Sequence, residues 1–168
     1  DWICAVTNTS IEQSLENVET FYADKNSISN APFFLPYLSG ERTPHNDPHI
    51  RGSFHSIKTT TDATHLQYAV IEGVSFGILD GVNSIIKVNS DFQNIFMVGG
   101  GSRSSFWIKL LATLLNRKLS VCEQSEFGAA LGVARLSMYL DDSISDKNKL
   151  IKEIKVSKEY KPNAINFD

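Results

Sequence analysis

No long uninterrupted apolar run, no spaced cysteine pairs and no lopsided charge occur in this sequence, and each shortfall closes off a class of protein. A membrane-spanning helix needs roughly 18 or more consecutive apolar residues, and no stretch reaches that length. No basic segment followed by an apolar core stands at the start, so no signal peptide is expected. Two cysteines, Cys4 and Cys122, lack metal or redox spacing and read as reduced thiols of a cytoplasmic protein. A net charge of -3 argues against a general polyanion binder, so no nucleic-acid partner is expected. The lysines from Lys147 to Lys161 are spread out with acidic neighbours and read as a solvated face.

What remains is an ordinary globular composition, 42% hydrophobic and 21% charged, in a length of 168 residues that fits one domain. The first residue is Asp1, so the expectation is a chain processed or cut from something longer. Ser10 offers an N-cap to a helix through IEQSLENVETFY. DKNSISN (24–30) reads as a polar connection, and PFFLPYLSG (32–40) as a short buried strand weakened by Pro36. GERTPHNDPHIRG (40–52) has turn formers and no periodicity, which predicts a long loop of the kind that tends to be functional. SFHSI (53–57) reads as a strand.

Asp62 caps a predicted helix over 63–88 with apolar residues at every fourth position from Leu66 to Ile86. Gly73, Gly77 and Gly81 follow the same spacing. Each costs roughly 1 kcal/mol against alanine, and together they form a smooth ridge for close packing on a sheet or for a ligand. A strand over 94–98, a helix over 106–115, a strand over 118–123 and an Ala-rich helix over 127–140 follow. This alternation predicts an α/β fold with at least two parallel strands. DDSISDKNK is a polar break, and the tail from Leu150 reads as weakly helical, then irregular.

The strongest local signal is NIFMVGGGSRSSFW, a strand that runs into three glycines and opens a helix. Without Cβ atoms a ligand can approach the main chain, and amides at a helix start suit a phosphate or a nucleotide sugar. The candidate binding residues are Gly99, Gly100, Gly101, Ser102, Arg103 and Ser104, with Ser102 also a candidate helix cap. A plain tight turn fits the glycines as well. A Rossmann G-x-G-x-x-G fails because Ser104 stands at the third glycine, and no Gly-Lys-Ser/Thr exists for a P-loop.

Several other groupings have quieter explanations. His45 and His49 carry ligand types but too few partners for zinc, so they read as loop residues. Glu41 and Arg42 form either a local ion pair or a feature of a domain cleft. Glu72 and Asp80 lie eight apart on one helix, on roughly one side, and read as polar-face or capping groups. Arg103 opposes the helix dipole unless a phosphate sits nearby, and Glu126 suits the start of the third helix.

Three segments together, FLPYLSGERTPHNDPHIRG, the Gly-Gly-Gly-Ser-Arg-Ser turn and FGAALGVARL, resemble the C-terminal half of the FGGY carbohydrate kinases. A family signature falls on Gly52-Ser53-Phe54-His55, Ile57, His65-Leu66, Ala69-Val70-Ile71 and Glu72, with Ser56 where that signature has glycine. Trp2 resembles the tryptophan that opens a helix in these kinases, and Tyr160-Lys161-Pro162 a Tyr-x-Pro before their tail helix. The resemblance implies an actin-like (ribonuclease H-like) ATPase fold, a mixed sheet with helices on both faces. It implies that residues 1–168 form a single C-terminal, nucleotide-binding domain, incomplete on its N-terminal side, with the glycine turn at the adenosine and Ser104 at the nucleotide. ATP and Mg²⁺ are the implied cofactors, and a pentulose or related sugar is the implied substrate. The phosphate loops, the sugar site and the general-base aspartate are expected in a separate N-terminal part, so these residues alone are expected to be inactive. No membrane partner is implied, and a homodimer is compatible. A non-catalytic actin-like binding or assembly domain is the rival reading, and a flavin or nicotinamide binder a distant third.

Overall fold

In the computed structural model, residues 1–88, 94–123, 128–140 and 155–163 are described. They form two compact units, Asp1–Phe92 and Gln93–Asp168, each taken by itself.

The first unit begins with helix α1 (Trp2–Thr7) and helix α2 (Ile11–Ala23). As expected, Ser10 caps α2, its hydroxyl accepting from the Gln13 amide. The connection expected over 24–30 contains one short helical turn, α3 (Lys25–Ile28). Strands β1 (Phe33–Leu35) and β2 (Ser53–His55) pair antiparallel, with Phe34 opposite Phe54. Helix α4 (Ala63–Val88) packs on α1, α2 and β1. By length and composition α4 could cross a membrane, yet Gln67, Glu72, Ser75 and Asp80 interrupt its apolar residues. Gln67 is fully buried and its Nε2 donates to the Thr7 and Thr9 hydroxyls.

The glycine ridge of α4 meets β1. A Cβ on Gly73 would overlap the carbonyl oxygen of Phe34, and one on Gly77 would lie 3.3 Å from Pro36 Cγ, whereas Gly81 has nothing within 4 Å. Phe34 is sandwiched further, with Trp2 stacked at 5.7 Å and Phe54 tilted at 4.6 Å between ring centroids. Close approach of the Phe34 main chain accounts for Gly73, and the Pro36 ring crowds Gly77. The apolar row from Leu66 is only half-buried or exposed, and the deepest positions of α4 are Gln67, Tyr68, Ala69, Gly73 and Ser75.

The second unit holds a three-stranded sheet in the order β3 (Ile95–Met97), β4 (Leu119–Cys122), β5 (Val156–Tyr160). β3 and β4 are parallel, as the alternation predicts, and β5 is antiparallel to β4. Helix α5 (Ser105–Leu115) covers one face of this sheet. Ile108, Leu111 and Leu119 are fully buried there, with Ile95, Met97 and Val121 packed around them. Each such side chain contributes about 1.5–3 kcal/mol by leaving water. Helix α6 (Gly128–Tyr139) follows, with no buried residue among those described.

The tail corrects one expectation. Residues 156–160 form a strand, where the sequence reads as irregular. Only Tyr160 of this strand is buried, so it carries almost no alternating apolar signal. Pairing with β4 supplies what local pattern does not. The polar break at 141–149, Glu126, Lys147, Lys149 and Lys152 lie outside the described residues.

Candidate functional site

β3 ends at Met97, and Val98 leads into Gly99 at φ +80 and ψ -170. Positive φ costs an L side chain steric energy that glycine avoids. Residues Gly100–Arg103 then wind into one 3₁₀ turn. Its first closing bond runs from the Ser102 amide to the Gly99 carbonyl at 3.1 Å, followed by Ser104 N–H to the Gly101 carbonyl at 3.3 Å. In that geometry the Gly100 and Gly101 amides have no partner within the turn. Gly100 is exposed, and open space lies where Cβ atoms of Gly99 or Gly100 would stand. Main chain is thus presented to solvent at the end of a strand, as a ligand-cradling turn requires.

The third glycine has another reason. A Cβ on Gly101 would stand 2.9 Å from Cζ3 of Trp107, so the indole of α5 supports the turn from below. Two glycines open the outer surface and one admits the tryptophan. That answers why a single turn contains three.

The two serines divide the remaining work differently from the sequence expectation. Ser102 is buried, and its hydroxyl donates to the Gly99 carbonyl at 2.7 Å, which locks the turn. The cap of α5 is Ser104, whose Oγ accepts from the Trp107 amide at 3.2 Å. A serine before a helix competes for this role by distance to the third amide beyond it, and the intervening 3₁₀ turn moves that position from Ser102 to Ser104. The Ser104 O–H remains able to donate to a ligand. Arg103 is exposed at the end of the turn, beside the positive end of α5.

At the start of α5, Ser105 Oγ and the Tyr160 hydroxyl are 2.8 Å apart. Lys158 Nζ lies 5.0 Å from the Tyr160 ring centroid and 3.5 Å from Ser105 Oγ. Burial pushes the Tyr160 phenol up, but the Ser105 hydrogen bond and the Lys158 ammonium together outweigh it and hold the group below its ordinary range.

In the first unit, the loop over 40–52 is held by its own bonds. Glu41 and Asp47 exchange backbone hydrogen bonds at 2.8 and 2.9 Å. Gly40 at φ +87 lies against Pro48, where a Cβ would meet the carbonyl oxygen at 2.8 Å. His45 Nε2 is 2.9 Å from the Tyr37 hydroxyl. Glu41 accepts from the Thr43 amide. Of the two readings of Glu41 and Arg42, the local ion pair is not formed among the described residues. Glu72 accepts from the buried Tyr68 hydroxyl at 2.7 Å, which agrees with a structural carboxylate. Burial, then this bond, raises the Tyr68 phenol far above its ordinary range. Among the described residues no three His, Cys, Asp or Glu side chains gather around a metal position.

Sequence reasoning missed three features. Tyr160 belongs to a strand with no readable pattern. Trp107 reads as a core residue at helical spacing, and nothing local shows that it supports the turn. Ser56 has φ +64, a left-handed conformation, at the position where the family signature has glycine.

Residues 2–140 match the C-terminal domain of the FGGY family of carbohydrate kinases. The chain is 30% identical to the xylulose kinase of Escherichia coli K12 over 99% of its own length and 34% of that protein. Among solved structures it is similar to a xylulose kinase from Brucella ovis, with TM-score 0.76 and 34% identity over 96% of this chain and 32% of the other. A gluconate kinase from Lactobacillus acidophilus gives TM-score 0.65 and 29% identity over 90% and 30%. The chain spans about a third of the length of the relatives it matches. Its α/β architecture is that of the actin-like ATPase fold of these kinases, and the chain belongs to the FGGY family of carbohydrate kinases, matching their C-terminal domain.

Proposed function

We propose that residues 1–168 act as the C-terminal, nucleotide-binding domain of a cytoplasmic kinase that phosphorylates D-xylulose with ATP to give ADP and D-xylulose 5-phosphate. The open main chain at Gly99 and Gly100 carries this reading. It offers amide donors and close approach to an adenine nucleotide, with Ser104 and Arg103 beside it. The names of the relatives from Escherichia coli and Brucella ovis favour xylulose as the sugar.

In the proposed reaction a sugar hydroxyl oxygen bonds to the γ-phosphorus while the bond to the ADP oxygen breaks. The hydroxyl proton passes to a general base, for which the family resemblance implies an aspartate of a preceding domain. Such chemistry depends on positioning and on charge stabilisation, and the share assigned to this chain is to hold the nucleotide. Mg²⁺ would enter with the ATP phosphates, as the family resemblance implies.

Calorimetric titration with ADP tests the binding claim. Wild-type protein is expected to bind, and Gly100→Val to lose binding while keeping its circular dichroism. Equal binding by both proteins refutes the role of the turn. The sugar is tested by assaying the full polypeptide with xylulose, gluconate and glycerol. A preference for gluconate would favour the specificity named for the Lactobacillus neighbour. ADP binding with no turnover on any sugar would favour a non-catalytic actin-like domain.

A further inference from the structure

We propose that Tyr160 is a positioning residue for the nucleotide, acting through Ser105 on the glycine turn. The inference rests on the reading of that turn as the nucleotide site. It assigns a role to a tail that lies beyond the residues matched by the family domain.

The connection runs through three contacts. Tyr160 is 6% exposed, and its hydroxyl meets Ser105 at 2.8 Å. Ser105 is the first residue of α5. Two residues further, Trp107 carries both the amide bound by the Ser104 cap and the ring that supports Gly101. The turn therefore stands on the first turn of α5, and Tyr160 ties that first turn to the sheet.

A tie holds only if its anchor is fixed, and β5 is fastened along its length. Lys118 and Glu159 pair at 2.6 Å, and Ser157 Oγ donates to the Val121 carbonyl at 2.9 Å. The Glu123 amide donates to the Lys155 carbonyl, and the Asn163 amide to Thr113 Oγ1 at 3.1 Å. These bonds join the tail to β4 and to the body of α5. Helix ends fray because their outer backbone groups lack intrahelical partners, and the Tyr160–Ser105 bond acts at one such end. Its loss would let Trp107 and the amides above it sample other positions, at an entropic cost to binding.

The test uses Tyr160→Phe, which keeps the ring and removes the hydroxyl, with Ser105→Ala and the double variant, all in the full polypeptide. One neutral hydrogen bond corresponds to about a fivefold effect. Tyr160→Phe is expected to weaken ADP binding by up to about fivefold, leave the KM for the sugar unchanged and speed amide hydrogen exchange across 99–104 without nucleotide. Ser105→Ala should do the same, and the double variant no more than either single one. Unchanged ADP affinity in both single variants, or effects that multiply in the double variant, overturns the inference. If Gly100→Val abolishes ADP binding while Tyr160→Phe does not weaken it, the nucleotide reading stands and this inference falls. If wild-type protein binds no ADP, both fall.

Discussion

Replacing Gly73 by alanine adds one carbon to a 26-residue helix, and the position of that carbon sets the result. It would overlap the Phe34 carbonyl oxygen, with the Phe34 carbonyl carbon at 3.1 Å and Cβ at 3.3 Å. Two of these atoms are main chain in a strand paired with β2, so no flexible side chain can yield. Helix and strand must part, or the helix must shift. Overpacking of this kind costs typically about 1–3 kcal/mol, and contact with backbone puts Gly73→Ala near the upper end. Alanine regains about 1 kcal/mol of helix propensity, so the net loss is about 2 kcal/mol. Gly81→Ala is the matched control. It lies in the same helix with nothing within 4 Å, so only the propensity gain acts, about 1 kcal/mol in favour of folding. Urea unfolding followed by circular dichroism should separate the two variants by about 3 kcal/mol, with wild type between them. In a unit of this size each kcal/mol shifts the melting temperature by roughly 4–8 °C. If Gly73→Ala proves as stable as Gly81→Ala, the close helix–strand contact is wrong.

Ser56→Gly should stabilise the protein by about 0.5–1 kcal/mol, since relief of a left-handed serine gains about 1–2 kcal/mol and glycine's extra chain entropy returns part of it; a loss of stability in urea would refute the strain. Asp62→Ala removes the cap of α4, where Oδ1 accepts from the His65 amide at 3.0 Å and meets His65 Nδ1 at 2.7 Å, and should cost about 1 kcal/mol at neutral pH. The His65 side-chain bond, then its amide, lowers the Asp62 pKa from its ordinary 3.8. The extra stability is therefore present above that pH and disappears as pH falls through the lower folded value. The gap between Asp62→Ala and wild type should narrow below pH 3.8 in acid titrations of stability, and a gap that widens there would refute the assignment. The exposed carboxylate keeps this effect small.

How much could be read in advance depended on where each signal resides. Ser10 and Asp62 are legible because a cap is a local bargain between one side chain and the amides three residues on. Strands 95–97 and 119–122 and the helices at 63–88, 105–115 and 128–139 are legible because the run or spacing of apolar residues is written within each segment. The glycines of the turn announced exposed main chain, but they did not show which of Ser102 and Ser104 would cap α5. That depended on one extra 3₁₀ turn between strand and helix. The strand at 156–160 was hidden, because four of its five residues are exposed and its place is set by the edge of β4.

Sequence alone determined the α/β class, the caps at Ser10 and Asp62, the turn and the family likeness, all properties of neighbouring residues or of a recurring pattern of letters. Tertiary structure alone decided that Gly73 lies under a strand while Gly81 faces open space, that Trp107 supports Gly101, and that Tyr160 reaches Ser105 from 55 residues away. The physical reason is range. Periodicity and capping act over one or two turns of chain, whereas steric exclusion and hydrogen bonding act between whatever atoms the fold brings within a few ångströms.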